Sequence, residues 1–366
     1  MKIVIISQHL FPIQTPRAYR TTELAKEFGK RGYEVIIYAV LGKYNYSDFE
    51  KKSDVKVKNI PIKWQIKPYS SDGNKIHFID KVIGRLFNKL FEFPNIEFMF
   101  CVPKILKKEK DVDLLISIAV PHQIHWGCAK SKIKNPNSFP KKWIADCGDP
   151  FMKNGLVKEH YKYFEKYERI FCEQCDYITV PIEEAKGAYY EEYRNKIKVI
   201  PQGFDFDLSV QEINVNNDII NFLYAGTFFK DNRHPEIFLK FIDSLNIDFR
   251  FHVFTKFEEI IRQYKPLLKE KLIIHNPIDR KNLVEFMKKM DFLLNLENVN
   301  RPGQLPSKLI DYAIAKRPIL SINPVEINKN LIMEFFEGNY KNQLKISNIE
   351  QYYIKNVADK FLSLLI

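Results

Sequence analysis

Nowhere in the 366 residues is there an unbroken apolar run near the roughly twenty needed to cross a bilayer. The amino terminus opens directly into a strand pattern, so no signal peptide is expected and a cytoplasmic location is, extending to the inner face of the membrane. Cysteine is scarce. Cys101, Cys128, Cys147, Cys172 and Cys175 are odd in number and lack paired metal spacing, which fits a reducing compartment. Cys172 and Cys175 make one Cys-x-x-Cys in a helical pattern, but a zinc site needs two more ligands and a redox site a thioredoxin-like context. There is no internal repeat and no low-complexity tract. Helix-turn-helix, zinc-finger and RNA-binding aromatic patterns are also missing, so only charge speaks for nucleic acid.

The charge itself is substantial and uneven. Of a formal net of +12, residues 1–200 carry +11, with 35 Lys/Arg against 24 Asp/Glu. Such an excess suits an anionic membrane surface or a phosphate-bearing acceptor, and a lysine-rich composition alone also explains it. A chain of this length with 45% hydrophobic residues suits two domains, each burying its own core.

Lys2–Ile6 reads as a buried parallel strand, followed by a loop from Ser7 to Thr15, a helix from Pro16 to about Arg31, and a strand at Val35–Tyr38. Arg17 and Arg20, at the helix start beyond a strand's carboxyl end, are acceptor-side candidates, with solvated surface cations as the other reading. Residues 76–110 combine Ile79, Ile83, Leu86 and Leu90 at helical spacing with Lys81, Arg85 and Lys89 opposite, beside Phe87, Phe91, Phe93, Phe98 and Phe100. The pattern predicts a core helix, or else a membrane-interface patch.

Leu114–Ile118 is a further buried strand leading into His122 and His125, at the end where open α/β sheets bind ligands. Lys142–Asp146 feeds a turn with two carboxylates, Asp146 and Asp149, the second either an acceptor-side catalytic group or a turn aspartate bonding its own backbone. Strands at 176–181 and 198–201 follow, and the polar stretch Ser209–Asp218 reads as a linker.

Asn221–Ala225 is a strand that meets Gly226 and Thr227, where backbone can approach a ligand, and Arg233 beyond it can pair with phosphate. Lys256 follows a strand at 251–255, and a helix is expected at 281–290. The most informative run is Leu305 to Leu320. Pro306 suits a first helical turn, Ser307 and Lys308 follow, and a helix start with free amides beside a cation is an anion site. Asp311, one turn on and on the same face, suits a ribose diol. Pro318 stops this helix, and 319–322 reads as a buried strand.

The 305–318 run resembles the Pro-Ser-Lys-Leu-(Phe)-Glu-Tyr-(Leu)-Ala-(Ala)-Gly-Lys-Pro segment of family 4 glycosyltransferases. Three further segments resemble that family in order: Ala145–Phe151 its Ala-Asp-Phe-Arg-Asp-Pro-Trp, Val199–Asp205 its Val-Ile-Pro-Asn-Gly-Val-Asp, and Tyr224–Arg233 its Tyr-x-Gly-x-(x)-Arg. Gly148 stands in place of the arginine, Asp311 in place of a glutamate, and Gly303 in place of a second glutamate. The resemblance implies an α/β GT-B fold, two Rossmann-like domains facing a central cleft. The implied domains are an acceptor domain at 1–203, a donor domain at 204–346, and a helix at 347–366 crossing back to the first domain. The capping-box spacing Ser347-Asn348-Ile349-Glu350 supports that helix start.

The resemblance also implies a retaining hexosyltransferase that moves a sugar from a UDP- or GDP-linked donor to a hydroxyl of a glycan or lipid-linked acceptor, in surface polysaccharide assembly. Gly226, Thr227, Arg233, Lys256, Gly303, Gln304, Ser307, Lys308 and Asp311 would bind the donor. Arg17, Arg20, His125 and Asp146 would face the acceptor, and Asp149, His122, Arg233 and Lys308 would serve catalysis. No Asp-x-Asp pair is placed for a metal, so no metal or other cofactor is expected, and protein cations would stabilise the leaving diphosphate. The rival readings are a nucleotide-sugar epimerase of the same fold and a basic nucleic-acid-binding protein.

Overall fold

The computed structural model describes residues 1–64, 87–148, 150–153, 160–206, 215, 217–229, 233–298 and 307–365. The chain divides into two compact units, Met1–Asp205 with Gln351–Ile366, and Phe206–Glu350. The sequence-based boundaries, 203/204 and 346/347, lie two and four residues earlier. Each unit is built on one parallel sheet. In the first, β1 (Lys2–Ile6), β2 (Glu34–Ala39), β3 (Val55–Asn59), β4 (Leu114–Ile118), β5 (Lys142–Asp146), β6 (Tyr177–Val180) and β7 (Ile197–Val199) take the order β3-β2-β1-β4-β5-β6-β7. The second holds β8 (Ile220–Ala225), β9 (Phe249–Phe254), β10 (Leu272–His275), β11 (Phe292–Leu296) and β12 (Ile319–Ile322) in the order β10-β9-β8-β11-β12.

The strands read as unbroken apolar runs because both faces are covered. In β1, Val4 and Ile6 enter one core and Ile3 and Ile5 the other, on opposite sides of the same sheet. The strand order reverses between β1 and β4 in the first sheet and between β8 and β11 in the second. Those switch points leave a crevice outside the carboxyl ends of the strands, where such sheets bind ligands.

Helix α1 (Pro16–Lys30) begins as its sequence dictates: Thr15 caps it by accepting from the Ala18 amide, and Pro16 needs no partner for a missing N–H. Helices α2 (Ser47–Ser53), α3 (Phe98–Leu106), α4 (Gln123–Lys134) and α5 (Glu165–Gln174) lie among the first sheet's crossovers. Around the second sheet stand α6 (Glu236–Ser244), α7 (Arg280–Met287), α8 (Ser307–Ala315) and α9 (Lys329–Phe336).

The chain returns to the first unit through α10 (Ile354–Leu362), whose Val357, Ala358 and Phe361 join the core beside α1. Two expectations change here. The capping box does not start this helix: Ile349–Tyr352 is a 3₁₀ turn, Asn348 has φ +51°, and Tyr353 precedes the first α-helical residue. Gly203, at the sequence-based end of the first domain, sits under the helix, where a Cβ would lie 2.7 Å from Ile354 Cδ1 and 3.1 Å from Val357 Cβ. Close packing therefore requires the glycine. Of the helix expected within 76–110, residues 76–86 lie outside the described residues, 87–91 are helical with Phe87 and Phe91 exposed, and 98–106 form α3 with Phe98 fully buried.

Candidate active site

The second unit brings two of the donor-side candidates together at its switch point. Helix α8 starts at Ser307, and Lys308 follows. Its Nζ stands 4.3 Å from the centre of the Tyr224 ring at the end of β8. This nitrogen is shut off from solvent and has no hydrogen-bond partner among the described residues. Burial, and secondarily the charge of Arg233, pull the Lys308 ammonium well below the usual lysine range. Arg233 is held by Asn298, with Nε donating to Oδ1 at 2.6 Å, and its guanidinium lies over Phe229. Two cations next to each other at a helix start repel, and an anion between them removes the penalty.

Tyr224 and Tyr312 frame this corner. The Tyr224 ring stacks on Phe228 and its hydroxyl donates to the Thr227 carbonyl at 3.1 Å, while Gly226 takes φ +144°, which favours glycine. Burial pushes the Tyr224 phenol up to about 12, with Arg233 opposing. Tyr312, on the same face as Lys308 one turn along, accepts from the Ala225 amide at 2.9 Å and donates to the Leu294 carbonyl at 3.0 Å. It thus ties α8 to both strands at the switch point. Sequence reasoning missed it, although its spacing of four from Lys308 carried the signal.

Asp311 is engaged by a residue the sequence did not suggest. Arg280, the first residue of α7, donates to its Oδ1 from Nε at 2.6 Å. Burial raises the Asp311 carboxyl and Arg280 opposes the rise. Lys256 is exposed beyond β9, and no described contact joins it to Lys308. Gly303 and Gln304 lie outside the described residues, and of Ser307 only the backbone is described.

In the first unit, Arg20 and Asp146 form a buried fork. Arg20 donates from Nε to Oδ2 at 3.1 Å and from Nη2 to Oδ1 at 2.8 Å, and Thr179 Oγ1 donates to Oδ1 at 2.7 Å. Arg20 also donates to the carbonyls of Ile200 and Pro201 and lies over the Phe361 ring. Burial works against the Asp146 charge, but Arg20 and then Arg17 outweigh it and hold the carboxyl below its usual range. These two acceptor-side candidates are therefore 2% exposed and occupied in joining α1, β5, β6 and α10. Arg17 is more open, reaching Asp146 Oδ2 at 3.2 Å while covering Gly148. Asp149 lies outside the described residues.

His122 and His125 are buried as well, at 3% and 0% exposure. His125 Nδ1 meets Ser117 Oγ at 2.7 Å and Nε2 lies 3.4 Å from Cys147 Sγ. Burial, and then His122, pull the His125 imidazole well below its usual range, so it is neutral.

No family model and no curated protein matches this sequence. Solved structures do. A glycosyltransferase of Rickettsia africae is 14% identical with TM-score 0.65, covering 100% of this chain and 97% of its own. The lipopolysaccharide outer core galactosyltransferase WaaB is 13% identical with TM-score 0.63, and Anabaena HepE in complex with UDP is 10% identical with TM-score 0.64; each match covers 100% of this chain and 99% of the other. At such identities the likeness establishes the fold: two parallel-sheet α/β domains of the GT-B glycosyltransferase type.

Proposed function

We propose that the protein is a glycosyltransferase that takes a sugar from a nucleotide-diphosphate donor and passes it to a hydroxyl of a glycan or lipid-linked acceptor. The observation that carries this reading is the Lys308 amine: a group shut off from solvent and pushed toward its neutral form, without a described hydrogen-bond acceptor, beside Arg233 at the first turn of α8. A diphosphate there supplies the missing acceptor. As the bond to the anomeric carbon breaks, charge grows on the departing diphosphate, and Lys308, Arg233 and the α8 amides stabilise it. Asp311 and Arg280 stand one turn along, where a ribose hydroxyl could join their pair. HepE, of similar fold, was solved with UDP and with UDP-glucose, which supports a uridine donor here. Retention at the anomeric carbon and a hexosyl unit follow from the family resemblance. Independence from a metal is part of the same reading, with Lys308 and Arg233 meeting the charge.

The acceptor side is read as membrane-proximal. Between α3, α4 and α5 runs a groove of about 200 Å³ lined by Trp126, Ile133, Tyr167 and Ile170, with Lys130 and Lys134 among its lining residues. Apolar walls with lysines one turn apart complement an anionic lipid. No helix among the described residues is long and apolar enough to cross a membrane, so contact would be peripheral. Surface polysaccharide assembly on a lipid carrier at the inner membrane face fits these features.

The deciding experiment is a thermal-shift panel of uridine, guanosine and cytidine diphosphates, followed by nuclear magnetic resonance of the matching nucleotide sugar. A shift with one diphosphate, and donor consumption dependent on an added acceptor, is the expected result. An epimerised donor without acceptor would overturn the transferase reading, and no shift with any diphosphate would remove the donor site.

A further inference from the structure

The first unit holds a second cluster, around the His122 and His125 expected on the acceptor side, to which the transfer step proposed above assigns no role. His122 and His125 lie three residues apart at the start of α4 and so point to one side. Cys147 follows β5, the strand paired with β4, and the sheet carries its sulfur to the two imidazoles. One ligand atom from each residue lies within 4.8 Å of the other two. We propose that His122, His125 and Cys147 form a buried site for a thiophilic transition-metal cation, zinc being the best match, that fastens the first turn of α4 to the end of β5.

The donor set and its spacing carry the argument. Imidazole nitrogen and thiolate sulfur bind zinc at about 2.0–2.1 Å and 2.3 Å, which puts N and S about 3.5 Å apart around a tetrahedral ion, and three protein donors leave its fourth position to a non-protein ligand. His125 Nε2 and Cys147 Sγ are 3.4 Å apart. The outer partners are also in place. Ser117 Oγ lies 2.7 Å from His125 Nδ1 and accepts from Trp143 Nε1 at 2.7 Å. Bonding Nδ1 to that hydroxyl fixes the ring and turns Nε2 to the metal, the arrangement typical of metal-bound histidines. The buried Tyr189 hydroxyl lies beside the Cys147 sulfur, where it can donate to a thiolate.

The surroundings are dry. His122 packs on Phe151 and Phe171, and His125 on Phe171, so three convergent donors stand in an aromatic wall. Neither cysteine of the Cys-x-x-Cys pair belongs to this set of three, and Cys175 Sγ donates to the Cys172 carbonyl at 3.5 Å. A buried site of this kind fills as the chain folds, and its binding energy is folding energy. It lies in the first unit, whereas the donor-side residues lie in the second, and it is independent of the transferase reading.

The test uses the full chain produced in zinc-supplemented medium, freed of loose metal, with metal content measured by mass spectrometry. The expected content is about one zinc per chain, falling to about a tenth of that in Cys147→Ser while Cys101→Ser is unchanged. Protein produced with cobalt should show a thiolate-to-cobalt charge-transfer band and tetrahedral d–d bands, the former lost in Cys147→Ser. Should that variant not fold, metal content and the cobalt spectrum of the parent chain decide alone. A parent chain without bound metal, or a thiolate band that survives Cys147→Ser, would overturn the site.

Discussion

The ammonium of Lys308 stands 4.3 Å above the ring of Tyr224, and two chain segments more than eighty residues apart thereby meet at one corner of the second sheet. The ring faces the cation and offers it a π surface, but no described hydrogen bond completes its shell. Lys308→Ala should leave the fold intact and cut turnover by about 100-fold or more, because the group acts on charge that grows in the transition state. Steady-state rates with circular dichroism of the variant check this, and near-normal rates would take Lys308 out of the mechanism.

A proton should accompany the donor. The free protein binds the Lys308 proton more weakly than the unfolded chain does, so this group makes stability rise with pH between its lowered pKa and the ordinary lysine value of about 10.4. A diphosphate beside Nζ restores the charged form. Titration calorimetry in that pH window, in buffers of different ionisation enthalpy, should report net proton uptake on binding of the matching nucleoside diphosphate. Lys308→Met should abolish the uptake.

Asp146 makes the opposite pH statement. Its carboxyl is held below the usual range, so its contribution is present above the unfolded value of about 3.9 and is lost as pH falls through the folded one. Asp146→Asn at neutral pH leaves Arg20 buried without its counter-charge and should cost about 3–5 kcal/mol in urea denaturation. A loss under about 1 kcal/mol would mean water reaches the fork.

Tyr312→Phe removes one hydroxyl and two hydrogen bonds, to the Ala225 amide and the Leu294 carbonyl. Both backbone groups are left in a dry interior, and the expected cost is about 1–3 kcal/mol. Denaturation midpoints measure it. The donor affinity should weaken in parallel, since α8 loses its tie to β8 and β11.

Gly148→Ala tests the acceptor side. A Cβ there would lie 2.8 Å from Arg17 Cζ, so the flexible guanidinium must move away. Stability should change by less than about 1 kcal/mol, because a side-chain end yields easily. The acceptor KM should rise severalfold while the donor KM holds, and an unchanged acceptor KM would detach Arg17 from that role.

Much of the architecture was legible because buried parallel strands advertise themselves. Leu114–Ile118 is apolar on both faces save Ser117, and the structure makes it a central strand, as it does Lys2–Ile6. The edge strands were harder. Val55–Asn59 alternates lysine with valine and lacks the two-sided burial that marks its neighbours. Ser347-Asn348-Ile349-Glu350 had the letters of a helix cap, yet Asn348 turns left-handed and the helix waits until Ile354, where Gly203 lets it pack.

By itself the sequence determined which segments must be buried and where a helix could open beside a cation, since periodicity and proline depend on a few neighbouring residues. Only tertiary structure decided partners. Arg20 meets Asp146 across 126 positions, and Tyr312 meets Ala225 across 87. Those pairings follow from strand order, and strand order is fixed by packing across whole sheets, which no local pattern encodes.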